Sequence, residues 1–127
     1  MVKEINSRKD VFEKVIALAE ARRELVDSGR DYNKEDIALL KYVETLDYED
    51  IKVLQTIMYL GRDRDYDKSM SSQEIYDDYR GSFDMRGWKN QEIDAGQMTD
   101  KAPMGTYLID GLKILGFEYK GGKLQWT

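Results

Sequence analysis

Between Asp10 and Ser28, Val11, Phe12, Val15, Ile16, Leu18, Ala19, Leu25 and Val26 recur at three- and four-residue intervals, the spacing of one face of an amphipathic helix. Gly29 supplies its stop. The pattern predicts a second helix from Asn33, whose side chain can cap, with Ile37, Leu39, Leu40 and Val43 as its buried stripe. Asp47 then precedes the series Ile51, Leu54, Ile57, Met58 and Leu60, a third helix expected to end at Gly61. A short helix is expected from Ser72 to Arg80, carrying Ile75, Tyr76 and Tyr79. Gly81, Gly87 and Gly96 interrupt the next stretch, which reads as a loop and one irregular helix around Trp88 to Met98.

The single proline, Pro103, suits the first turn of a last helix through Leu115, with Met104, Leu108, Ile109, Leu112 and Leu115 inward and Gly116 as its stop. The period then changes from helical to alternating. Residues 117–126 alternate apolar and polar side chains about Gly121-Gly122, which predicts a two-residue hairpin with Phe117 opposite Trp126 and Tyr119 opposite Leu124. A hairpin of this size needs something to lie against, so it should pack on the helices. The expected architecture is mainly α: one domain over residues 1–127, a compact bundle of five to six helices with a C-terminal β-hairpin.

Composition narrows the function. At 127 residues, 41% apolar and 11% aromatic, the chain can bury one modest core and lies outside the disordered class. A net charge of −5 argues against nucleic acid, whose phosphates need a basic face. There is no cysteine and no histidine, which removes disulfides, thiolate zinc sites and the Ser-His-Asp and Cys-His nucleophile systems. No apolar run approaches a membrane span and the start of the chain lacks a signal-peptide pattern, so a cytoplasmic protein without a membrane partner is expected.

Tyr59-Leu60-Gly61-Arg62-Asp63, preceded by Val43-Glu44-Thr45-Leu46 and followed by the run from Pro103 to Leu112, resembles the small bacterial proteins grouped as domain of unknown function 3775. The resemblance covers roughly residues 11 to 116. It implies a helical fold and a bacterial context, and it carries over no catalytic or binding residue. Asp63 stands where that family tends to have the second glycine of Gly-Arg-Gly-Asp, and the hairpin looks like an addition to it.

Two stretches carry candidate chemistry. In Asp63 to Glu74, Asp63, Asp65, Asp67, Ser69, Ser71 and Glu74 fall at the first, third, fifth, seventh, ninth and twelfth positions of a calcium-binding EF-hand loop. Lys68 occupies the sixth position, where such a loop turns on a glycine, and no second loop pairs with this one. Ser71-Ser72-Gln73-Glu74 is also a capping box, which gives Glu74 a role without metal. The other stretch, Tyr76 to Trp88, mixes Tyr, Phe, Trp, Met and Arg, the residue types enriched at interface centres. Buried aromatics completing the core are the competing account.

The sequence therefore predicts a non-enzymatic protein that acts on another protein as an inhibitor, immunity factor or adaptor. Tyr79, Arg80, Phe83, Arg86 and Trp88 are its candidate contact residues, and no cofactor is expected. A calcium-binding helix-loop-helix over residues 63–74 is the alternative.

Overall fold

A computed structural model describes residues 1–127. Seven helices precede a two-stranded hairpin: α1 (Lys3–Asn6), α2 (Lys9–Asp27), α3 (Asn33–Glu44), α4 (Tyr48–Asp63), α5 (Ser72–Arg86), α6 (Gln91–Thr99), α7 (Met104–Ile114), β1 (Phe117–Lys120) and β2 (Lys123–Trp126). The architecture is the expected helical bundle and hairpin, with one helix more. That helix is α1, a single turn; its Ile5 and the Val2 that precedes it are fully buried. Two apolar residues three apart are too few to register as a period, yet they are enough to dock a terminus.

The central element is α4. Asp47 caps it, accepting a hydrogen bond from the Asp50 backbone N–H at 2.9 Å, and nine of its residues are buried. Its nearest neighbour is α7, and two glycines permit the approach. A Cβ on Gly61 would lie 1.8 Å from the Tyr107 carbonyl oxygen, and one on Gly111 would lie 2.1 Å from that of Ile57. Gly61 is thus a packing residue and not the stop the sequence suggested. The helix ends at Arg64, whose left-handed φ of 54° breaks the ladder.

Gly81 also fails to stop its helix. It lies on an exposed face, and α5 continues through it to Arg86, ending at Gly87 with φ of 88°. The Asn33 side chain does not cap α3. Its backbone N–H instead donates to Asp31 Oδ1 at 3.0 Å. Leu39 and Val43 anchor that helix, while Ile37 and Leu40, expected inside, are exposed because α3 lies at the edge of the bundle and has only one covered face.

Arg22 ties three elements together from inside the molecule. It is 3% exposed and donates to Asp36 Oδ1 at 2.8 Å, to the Thr99 carbonyl at 2.5 Å and to the Lys101 carbonyl at 2.8 Å. The hairpin has the expected register, Phe117 opposite Trp126 and Tyr119 opposite Leu124, and Gly121 and Gly122 both take positive φ as the turn requires. Phe117 and Leu124 enter the core, whereas Trp126 remains exposed with its ring edge-on to Phe117. The Leu124 N–H donates to Glu13 Oε2 at 2.7 Å, fastening β2 to α2. Helices and hairpin share one contiguous core of 24 buried residues. No helix is long and apolar enough to cross a membrane.

Candidate functional site

The start of α5 is fixed by a complete capping box: Ser71 Oγ accepts from the Glu74 N–H at 3.2 Å, and Glu74 Oε1 accepts from the Ser71 N–H at 3.0 Å. Ile75 and Tyr76 bury the first turns. Further along, Tyr79 and Phe83 repeat at helical spacing, and Phe83 becomes the hub of an aromatic cluster. Its ring centroid lies 5.5 Å from Tyr59 on α4, 5.5 Å from Trp88 and 6.0 Å from Tyr79. Such separations lie within the favourable range for aromatic pairs.

Cations gather around these rings. The Arg86 guanidinium lies 4.8 Å from the Phe83 ring centroid, that of Arg62 lies 4.4 Å from Tyr59, and the ammonium of Lys101 lies 5.4 Å from Tyr59. Lys52 sits between Tyr48 and Trp88, at 4.3 and 5.7 Å. Together α4, α5, the Gly87–Lys89 turn and α6 enclose an open cleft of about 350 Å³, lined by Phe83, Arg86, Trp88 and Lys89 with Gln55, Tyr59, Arg62, Asp63, Asp94 and Gln97.

Of the five residues expected to contact a partner, Phe83, Arg86 and Trp88 line this cleft. Tyr79 stands behind Phe83, with its hydroxyl 3.4 Å from Asp63. Arg80 is turned inward to a scaffold role. It grips Glu49 with two bonds of 2.8 and 2.9 Å, donates to Asp84 at 3.0 Å and reaches the Tyr76 hydroxyl at 3.3 Å. The Glu49 bonds raise the guanidinium above its ordinary value and hold the Glu49 carboxyl below the usual range. Burial by itself would raise the Asp84 carboxyl, but hydrogen bonds from Trp88 Nε1 at 2.7 Å and from Arg80 outweigh it and lower it. Arg80 thereby fixes Asp84, and Asp84 fixes the indole at the cleft rim.

Two polar residues of the cleft are buried. Asp94, 3% exposed, accepts from the Tyr48 hydroxyl and from the Lys89 backbone N–H at 3.2 Å. Loss of solvent, together with the Asp94 carboxylate, pushes the Tyr48 phenol up to about 12. Gln55 is 5% exposed, and its Oε1 has no hydrogen-bond partner. Sequence reasoning passed over Gln55, although a signal was present: it is a polar residue in the buried run Val53–Met58. Tyr59, Arg62, Lys89, Asp94 and Gln97 came from three separate segments, and nothing in their own neighbourhoods marked them as one site.

The six residues of the calcium pattern do not gather. Asp63 is held by its neighbour Arg62, at 2.7 and 3.3 Å. Asp67 Oδ1 turns back onto the Ser69 N–H and hydroxyl, at 2.9 and 2.7 Å, and these bonds lower its carboxyl. Ser71 and Glu74 are engaged in the cap, whose bonds lower Glu74 in turn. Asp65 borders a second cavity, of about 340 Å³, shared with Asp63, Asp78 and Arg86. The left-handed residue of the segment is Arg64 and not Lys68, so the backbone lacks the turn an EF-hand makes at its sixth position. No three acidic side chains form a group that could hold a metal ion.

No protein-family model, curated protein or solved structure matches the chain.

Proposed function

We propose that this protein works by binding another protein through the cleft face of α5, as an inhibitor, immunity factor or adaptor does, and not by catalysis. The observation that carries the reading is the half-buried Phe83–Trp88 cluster beside Arg86, whose guanidinium enters none of the ion pairs of the fold, with Lys89, unpaired like every lysine of the chain, adjoining it. Every other arginine except Arg30 is held by a carboxylate. Rigid aromatics beside free cations are the pattern of an interface centre, where contact area and directed hydrogen bonds coincide. The overall charge of −5 makes a local cationic rim a selective feature, suited to an acidic surface on the partner. The resemblance to bacterial proteins noted above is compatible with such a role and names no partner.

The test is capture by the immobilised protein against an Arg86→Glu, Trp88→Ala variant whose circular dichroism matches the parent. Both side chains lie outside the core, so the fold should persist. A partner retained by the parent is expected to be lost by the variant, and unchanged retention would remove this face from consideration.

A further inference from the structure

We propose that the cleft takes a peptide carboxylate together with the amide beside it, the pair of groups that a protein's free carboxy-terminal residue presents. This rests on the protein-contact reading and specifies what part of a partner enters the site. Three features of the lining point to that chemistry. The first is Gln55, whose Oε1 is shielded from water and lacks a donor. A buried amide oxygen left unpaired is costly, and such groups call for an explanation. Rotation of the terminal amide would bring this oxygen to a ligand N–H in the cleft, at the cost of turning the Nε2 donors inward.

The second feature is charge. Arg62, Arg86 and Lys89 face two carboxylates across the lining, those of Asp63 and Asp94. Asp63 is neutralised by Arg62, and Asp94 is already occupied by the Tyr48 hydroxyl and the Lys89 N–H. Lys89 and Arg86, which also lines the adjoining cavity with Asp63, Asp65 and Asp78, are left to meet an incoming anion, with Lys52 and Lys101 close behind the aromatic walls. The positive margin is small, which suits the single charge of a carboxylate better than the double charge of a phosphate. The third feature is the wall of Tyr59, Phe83 and Trp88, which offers rings to one apolar or aromatic side chain. A cleft of about 350 Å³ lies at the small end of ligand sites, enough for one such residue and its terminal groups.

The probe is N-acetylphenylalanine, which joins an amide N–H, a carboxylate and a ring, titrated into the whole isotope-labelled chain. The Trp88 indole N–H and the Gln55 amide are expected to shift saturably with a Kd of about 1 mM, as a ligand of so few atoms allows. The Trp126 indole, on the hairpin, should remain still. N-acetylphenylalaninamide, which lacks the charge, should bind about tenfold more weakly, as should the parent ligand to an Arg86→Ala, Lys89→Ala variant. Gln55→Leu fills the same space without the amide and should weaken binding about threefold or more while the fold is kept.

Acetyl-Gly-Glu-Gly-amide carries its carboxylate on a side chain. Binding equal to or tighter than that of N-acetylphenylalanine would overturn the assignment to a free terminus, as would tighter binding of phenyl phosphate. If N-acetylphenylalanine fails to bind while the Arg86→Glu, Trp88→Ala variant still loses its protein partner, this inference falls and the protein-contact reading stands. If it binds and capture is unaffected, the site is one for small molecules and the protein-contact reading falls instead.

Discussion

Arg80 and Tyr76 make the α5 attachment sensitive to pH at the acid and the alkaline end. Because the Arg80 bonds depress the Glu49 carboxyl in the folded state, that contribution is complete above the unfolded value of 4.5 and is lost as pH falls through the lower folded value. Arg80→Ala is expected to cost about 1 kcal/mol at neutral pH, a modest figure because Glu49 is half-exposed and solvent screens the pair. The same variant should show a flatter loss of stability below pH 4.5, read from urea midpoints across the acid range. At the other limit, burial pushes Tyr76 up to about 12, and Tyr48 and Tyr79 reach about the same value. A raised phenol stabilises the fold fully below its unfolded value of 10.0 and ceases to do so as pH rises through about 12. Phenolate absorbance should therefore show a late group among the nine tyrosines, with Tyr48, Tyr76 and Tyr79 latest and Tyr42 and Tyr119 also delayed, and Tyr76→Phe should remove one of its members.

At the scale of elements, glycine shows what a single chain can and cannot reveal. Gly61 and Gly81 each follow an apolar helical run, and both read as stops, yet each lies within a helix. A Cβ on Gly61 would meet the α7 backbone, whereas one on Gly81 would meet nothing within 4 Å. Gly61→Ala must therefore push α4 from α7 and is expected to cost about 3 kcal/mol or more. Gly81→Ala lowers the entropy of the unfolded chain and raises helix propensity, with an expected gain of about 0.5–1 kcal/mol. Urea denaturation of the two variants would separate the cases by the sign of the change. The hairpin and its register were legible, because its period and its turn residues are both local, but the exposure of Trp126, expected on the face against the helices, was not. The packing glycines were not, since their reason lies in a partner helix some fifty residues away. The cleft was half legible for the same cause: Phe83, Arg86 and Trp88 share one segment, whereas Gln55, Tyr59 and Asp94 join them only through the packing of α4 and α6.

Across the whole molecule, the core makes no division between the helices and the hairpin that follows them. Phe117 and Leu124 belong to the same buried cluster as Ile5, Leu54 and Met98. The cleft stands on that cluster through α4, since Gln55 is flanked on the helix by the buried Leu54 and Thr56. A molecule built this way should unfold as one unit, because no element can leave without exposing surface that the others cover. The two tryptophans provide the measurement, for Trp88 reports from the cleft and Trp126 from the hairpin. Trp88→Phe leaves the hairpin as the sole indole reporter and Trp126→Phe leaves the cleft. Each replaces an exposed or half-exposed ring by a smaller one, so each should shift stability only slightly. Within each variant, the fluorescence midpoint in urea is expected to coincide with the midpoint followed by far-ultraviolet circular dichroism, which reports all seven helices. An indole transition at lower urea in the Trp88→Phe protein would mean that the hairpin detaches first, breaking the Glu13 bond to Leu124. An early transition in the Trp126→Phe protein would instead place the first opening at the α4–α5–α6 cleft, and would make its geometry a property of a locally mobile α5.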